Sequence, residues 1–171
     1  MINKALFMET TKVEAERTAA EISGLLVESG ARRISTEYNE SREVVGIHFE
    51  LDVDLGADKR IWSVMLPART EKLFQLINGR RKFDRSANAA KDRATAKRVA
   101  WRQLLRWTQA QLAMIDTGMA QAHEIFLPYV EVEPGVTFFQ KVINNPGRML
   151  AAANTVDEHT DSAIDAEFTS P

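Results

Sequence analysis

The chain reads as an α+β domain in the order helix, three-stranded antiparallel meander, then two to three helices. Three patterns predict this: a capped amphipathic stretch over residues 11–30, period-two alternation over 33–66, and a long 3.6-residue periodicity over 91–117. In the first, Thr11 and Glu14 have the spacing of a capping box. Ala15, Ala19, Ile22 and Leu26 then recur on one helical face, and Gly30 supplies the residue that accepts a left-handed stop. Gly24 costs about 1 kcal/mol against alanine inside that helix. The preceding residues 1–9 contain one lysine and an apolar run too short for a secretion signal, and read as an additional N-terminal strand.

The meander begins at Arg33–Tyr38, with Ile34, Thr36 and Tyr38 on one side. After the polar turn 39–42, Val45, Ile47, Phe49, Leu51 and Val53 point one way, and Val44, Gly46, His48, Glu50 and Asp52 the other. Such alternation marks an antiparallel strand with one face on a core and one in water. Residues 54–59 turn, Ile61–Leu66 form the third strand, and Pro67, lacking an N–H for the ladder, ends it. A helix is expected over Thr70–Ile77, stopping at Asn78-Gly79. Residues 80–90 read as a loop or a frayed helical extension. On the long helix, Trp101, Leu104, Leu105, Thr108, Leu112 and Ile115 form one stripe that Met119 continues. Trp107 and Met114 lie on the far side, so this helix is expected to touch more than one surface. Gly118 interrupts it, a short helix covers Ala120–Phe126, and 133–135 is a turn. The apolar segment Val136–Ile143 is ambiguous between strand and helix. The expected domain spans 1–150.

The composition is that of a globular protein, with 44% hydrophobic and 27% charged residues in 171. No apolar run approaches the ~20 residues that span a bilayer, and the absence of cysteine removes disulfides, zinc ribbons and thiol catalysis. A cytoplasmic location in a host cell is expected. The net charge of −2 conceals an asymmetry. The segment 80–106 holds ten basic residues and two acidic ones out of 22 and 24 in the chain. Residues 151–171, in contrast, carry Asp157, Glu158, Asp161, Asp165 and Glu167 without a lysine or arginine, and read as a disordered acidic tail.

Lysines and arginines bind phosphates through charge and counterion release, with modest geometric demands. Lys91, Arg98, Arg102 and Arg106 share a helical stripe beside Trp101, and Arg80, Arg81, Lys82 and Arg85 precede it. These eight residues are the candidate nucleic-acid-binding set, with the first four as an exposed stripe and the others as a flexible clamp. Other chemistry is poorly represented. His48, Glu50 and Asp52, with Asp54 beyond, share one strand face, but a nuclease-type metal site draws carboxylates from separate elements, and the polar face of an amphipathic strand accounts for them. His123 and His159 have no ligand spacing. No G-x-S-x-G elbow and no glycine-rich phosphate loop occurs. Neither a catalytic residue, a metal nor a cofactor is expected.

The run Trp101-Arg102-Gln103-Leu104-Leu105-Arg106-Trp107, followed by residues 110–119 and by Glu124-Ile125-Phe126-Leu127-Pro128-Tyr129, resembles a recurrent signature of small proteins carried by phages and prophages. The resemblance extends to the opening 7–11 and covers most of 5–130. It implies a mobile-element context and carries over no binding residue. The element order is also similar to that of double-stranded RNA-binding domains, and a β-β-β-α core occurs in single-strand annealing proteins. The chain departs from the former: there a lysine-rich helix start follows the third strand, whereas here Leu66-Pro67-Ala68 leads into 70–77. The expectation is therefore a non-catalytic nucleic-acid-binding accessory protein of a phage or mobile element, with DNA or RNA as partner. The alternative is a protein-interaction module that docks or oligomerises through the helix 91–117.

Overall fold

The computed structural model describes residues 5–56, 58–81 and 83–147. Helix α1 (Ala15–Glu28) leads into strands β1 (Arg32–Tyr38), β2 (Val44–Asp54) and β3 (Lys59–Pro67), which form an antiparallel sheet in the order β1-β2-β3. Helices α2 (Thr70–Gly79), α3 (Ala89–Asp116) and α4 (Ala122–Phe126) follow, then a 3-10 turn at Leu127–Tyr129. A small hairpin, β4 (Glu131–Glu133) and β5 (Val136–Thr137), leads into α5 (Phe138–Asn144). The order helix, meander, helices is the one the patterning predicts.

The sheet's inner face is the predicted row. Ile47, Phe49 and Val53 of β2 are buried, and Phe49 and Ile47 pair across the ladder with Val64 and Leu66 of β3. All four predicted core positions of α1 are buried, and Trp101, Leu105 and Leu112 of α3 close the same core. Phe126 stacks edge-on against Phe49 at 5.6 Å. A second apolar cluster lies on another side of α3, where Ala96, Val99 and Ala100 meet Leu73 and Ile77 of α2. The long helix thus packs on more than one surface, but through Ala96, Val99 and Ala100 rather than the expected Trp107 and Met114: Trp107 packs against the main core and Met114 is exposed. Val44, expected on the outer face, is buried, and its carbonyl accepts the Trp101 indole N–H at 3.4 Å. At Gly46 a Cβ would come within 2.6 Å of Met65 Cε and 2.9 Å of the Leu66 carbonyl, so the strand needs glycine there.

Both predicted glycine stops hold. After α1, Gly30 has φ 85° and donates to the Val27 carbonyl, while Ala31 donates to that of Leu26. After α3, Gly118 and Met119 make the same pair of bonds to Ile115 and Met114, the double capping of a Schellman motif. That turn also corrects an expectation, because Met119 leaves the apolar stripe and is 76% exposed.

Other local readings are corrected too. Helix α1 starts at Ala15 with Glu14 at its N-cap and no side-chain cap, so Thr11 and Glu14 do not form a capping box. Thr11 Oγ1 accepts from the Val13 N–H at 3.4 Å instead. The additional N-terminal strand is not formed among residues 5–10, where Glu9 donates to Leu6 and Thr11 to Met8 in successive turns. In β1, a register shift at Glu37/Tyr38 takes Tyr38 out of its row and leaves it exposed. The segment 136–143 resolves into a two-residue strand and α5, whose capping box pairs Thr137 with Gln140. The expected acidic tail, 151–171, lies outside the described residues.

Candidate nucleic-acid interface

The basic segment folds against acids of its own chain. Helix α1 presents Glu14, Glu16 and Glu21 toward α3, where Arg98 meets Glu14 at 3.5 Å, Lys97 meets Glu16 at 2.9 Å and Arg102 meets Glu21 at 2.7 Å. The Lys97 ammonium, as hydrogen-bond donor, holds the Glu16 carboxyl below its ordinary range. Arg98 and Arg102 keep only 25% and 14% of their side-chain surface in water, and both bury an Nε that has no partner. They are not members of an exposed stripe: the polar seam between α1 and α3 covers them.

The segment before α3 is held in a similar way. Arg81 reaches Asp92 with Nε at 2.5 Å and Nη2 at 2.6 Å, and Asn78 adds a bond to the same carboxylate. Arg80 meets Glu9 at 3.2 Å. Arg85 donates to the backbone carbonyls of Arg81 and Gly79, folding the turn onto itself, with Asp84 at φ 56°. Arg80, Arg81 and Arg85 are therefore held by bonds within the chain, Arg80 to distant Glu9 and the other two locally, which overturns the expectation of a flexible clamp at these three positions. Lys82 lies outside the described residues. Lys91 and Arg106 remain exposed, the latter bonded to Gln109 at 2.8 Å.

Replacing both Arg98 and Arg102 with glutamine is accordingly expected to act on stability first. A double-mutant cycle on Arg102 and Glu21 should give a coupling of about 0.5–1 kcal/mol, discounted because Glu21 is partly solvated. Urea denaturation of the four proteins measures it, and a coupling of zero would contradict a structural seam.

The sheet's outer face is also saturated. Glu50 pairs with Arg33, Asp52 with Arg32, and Asp54 with Lys59. His48 Nε2 lies 2.7 Å from Ser63 Oγ and 2.9 Å from Glu131 Oε2, and Ser63 donates to that carboxylate at 3.1 Å. A serine–histidine–carboxylate relay needs the serine and the acid on opposite ring nitrogens. Here both meet Nε2, so the ring cannot pass a proton from one to the other. The trio instead ties β4 to the sheet. Among the described residues no cluster of histidine and carboxylates could hold a metal, and no helix is long and apolar enough to cross a membrane.

Two further cations without a carboxylate partner lie elsewhere, beside aromatic rings. Pro67 ends β3, and the chain enters α2 through Arg69, its N-cap residue. Arg69 and Lys72, three residues apart, stand on one side of the first turn. Among the described residues neither side chain has a carboxylate partner or a hydrogen bond, and α2 has no capping side chain. Both line an open groove of about 330 Å³ with Leu73, Gln103, Trp107 and Tyr129. Trp107 packs edge-on against Tyr129 at 5.4 Å and Phe126 at 6.1 Å. Arg69 also sits 5.5 Å from the centre of the Phe139 ring, and a second groove, of about 420 Å³, continues past it to Thr137 and Gln140.

None of Arg69, Lys72, Trp107 or Tyr129 belongs to the set that charge density picks out. The signal that could have found them is Trp107, a large aromatic set off the main apolar stripe of its helix that packs at the edge of the same core. Together they line an aromatic, cationic groove on a small α+β fold. Compared with protein-family models, curated proteins and solved structures, the chain has no match.

Proposed function

We propose that this chain is a non-catalytic accessory protein that binds single-stranded nucleic acid. The observation that carries the reading is the groove itself: two cations with no carboxylate partner stand beside two aromatic rings. Cations follow a phosphate backbone, and aromatic side chains give bases a stacking platform, worth about 1–3 kcal/mol per base. The resemblance of residues 101–129 to phage-borne proteins supports reading such an activity as a part of the replication, recombination or regulation of a mobile element. A protein-interaction module is the second reading. Met114 and Met119 favour it, since they expose apolar surface at the far end of α3, over a narrower area than the whole helix.

Fluorescence anisotropy with a labelled oligothymidylate tests the first reading. Arg69→Gln with Lys72→Gln should weaken binding roughly tenfold at low salt. It should also flatten the salt dependence by about 0.7 per lost phosphate contact, the slope for single strands. The Arg98→Gln, Arg102→Gln pair, folded under conditions where it is stable, should change affinity less than about twofold, because those guanidiniums are engaged by α1. If the parent protein leaves the oligonucleotide free at low salt, the reading fails.

A further inference from the structure

We infer that the acidic C-terminal segment 151–171 is an intramolecular ligand of the groove at Arg69 and Lys72 and competes there with outside polyanions. In its consequence for nucleic acid, the inference rests on the reading proposed above; the docking itself does not.

Three observations point to this occupant. The first is charge. Among the described residues Arg69 and Lys72 have no carboxylate partner, whereas on α3 Arg93, Lys97, Arg98 and Arg102 are engaged by Glu71, Glu16, Glu14 and Glu21, which leaves Lys91 and Arg106 as the cations of that helix without a carboxylate. Residues 151–171 supply Asp157, Glu158, Asp161, Asp165 and Glu167 with no opposing lysine or arginine.

The second is position. The described chain leaves through α5, and Phe139 and Gln140 of that helix line the groove that continues from Arg69. Described residues end at Gly147, and the ten residues from there to Asp157 can span up to about 33–36 Å. Helix α5, at seven residues, is only about 10 Å long. The acids can therefore reach back past α5 to Arg69 without strain.

The third is chemistry. The groove is partly apolar through Leu73 and the rims of Trp107 and Tyr129, and the segment carries Ile164 and Phe168 among its acids. Tethering raises the local concentration of such a ligand to about the millimolar range. A contact too weak to hold a free peptide is then well occupied within one chain. Salt screens the charge pairing, so occupancy falls as ionic strength rises.

The absence of cysteine makes the test direct. Ser162→Cys takes a single nitroxide label on the full chain. The three tryptophans then report by their indole N–H signals: Trp107 in the groove, Trp101 in the core and Trp62 on β3. At low salt the Trp107 signal should be broadened most. High salt, or Arg69→Gln with Lys72→Gln, should restore it. Broadening that is absent, or greatest at Trp62, overturns the inference.

The competition is read separately by oligothymidylate anisotropy on the full chain carrying D157N, E158Q, D161N, D165N and E167Q. This variant should bind roughly tenfold more tightly than the parent at low salt, with the gap closing at high salt. Equal affinities overturn the competition. If neither protein binds the oligonucleotide but the Trp107 broadening persists, the nucleic-acid reading fails and the docking stands.

Discussion

Trp101→Ala is expected to remove about 3–5 kcal/mol of stability, the range for truncating a large aromatic in a close-packed interior. Trp101 is wholly buried and belongs to the core that joins α3 to α1 and the sheet. Its indole also bonds the Val44 carbonyl, at the start of β2. The change therefore opens a cavity where three elements meet and leaves a carbonyl without its side-chain donor. Native domains hold only about 5–15 kcal/mol in all, so the variant should be close to its unfolding limit at room temperature. Urea denaturation measures the loss as a lower midpoint at constant slope. Trp101→Phe should cost less, since it keeps most of the apolar contact and gives up the hydrogen bond. A loss under about 1 kcal/mol for the alanine variant would mean that the core closes around the gap and that Trp101 does not organise it.

The fold was legible where burial on one face set the pattern. In β2 each inward residue has an outward polar neighbour, and any register slip would put Phe49 or Ile47 in water. That constraint is strong enough to be visible in the residues alone. The same holds for Ala15, Ala19, Ile22 and Leu26, and for the glycines that close α1 and α3. What failed was local chemistry decided by tertiary competition. Thr11 and Glu14 have capping-box spacing, yet Glu14 is drawn to Arg98, a partner 84 positions away. Thr137 and Gln140 have the same spacing and do cap α5, each bonded to the other.

The candidate site was less legible for a related reason. A count of ten basic residues in 80–106 treats each charge as facing solvent. Their partners, Glu9, Glu14, Glu16, Glu21 and Glu71, lie far off in sequence, so local charge density could not reveal the pairing. Asp92 stood out as one of only two acids in the segment; that it is the buried counter-ion of Arg81 became visible only in the fold. Arg69 and Lys72 are unremarkable in number, and their significance comes from standing without a carboxylate beside Trp107 and Tyr129, a juxtaposition made only by the fold.

Asp92→Ala is the second substitution expected to have a large effect. The carboxylate is only 3% exposed and accepts from Arg81 twice and from Asn78 once. It joins the turn before α3 to the end of α2. Removing it leaves Arg81 without its counter-ion and deletes several charge-assisted bonds, at a cost of about 2–3 kcal/mol. For a chain of this size that corresponds to a melting temperature lower by roughly 4–12 °C. Asp92→Asn keeps the shape and one acceptor and should lose less.

The pH dependence separates charge from packing. Hydrogen bonding by Arg81, its largest cause, holds the Asp92 carboxyl below the ordinary carboxylate range. As pH falls through about 4, the unfolded chain takes up this proton before the folded one does. The unfolded state therefore binds more protons in that window, and stability rises with pH across it. The contribution of Asp92 is full above about pH 5 and declines as pH drops through 4 and into the lowered folded value. Parent and Asp92→Asn should consequently differ most in melting temperature at pH 6–7 and converge toward pH 3. A gap that stays constant from pH 7 to pH 3 would assign the effect to shape alone and remove the ion pair as its cause.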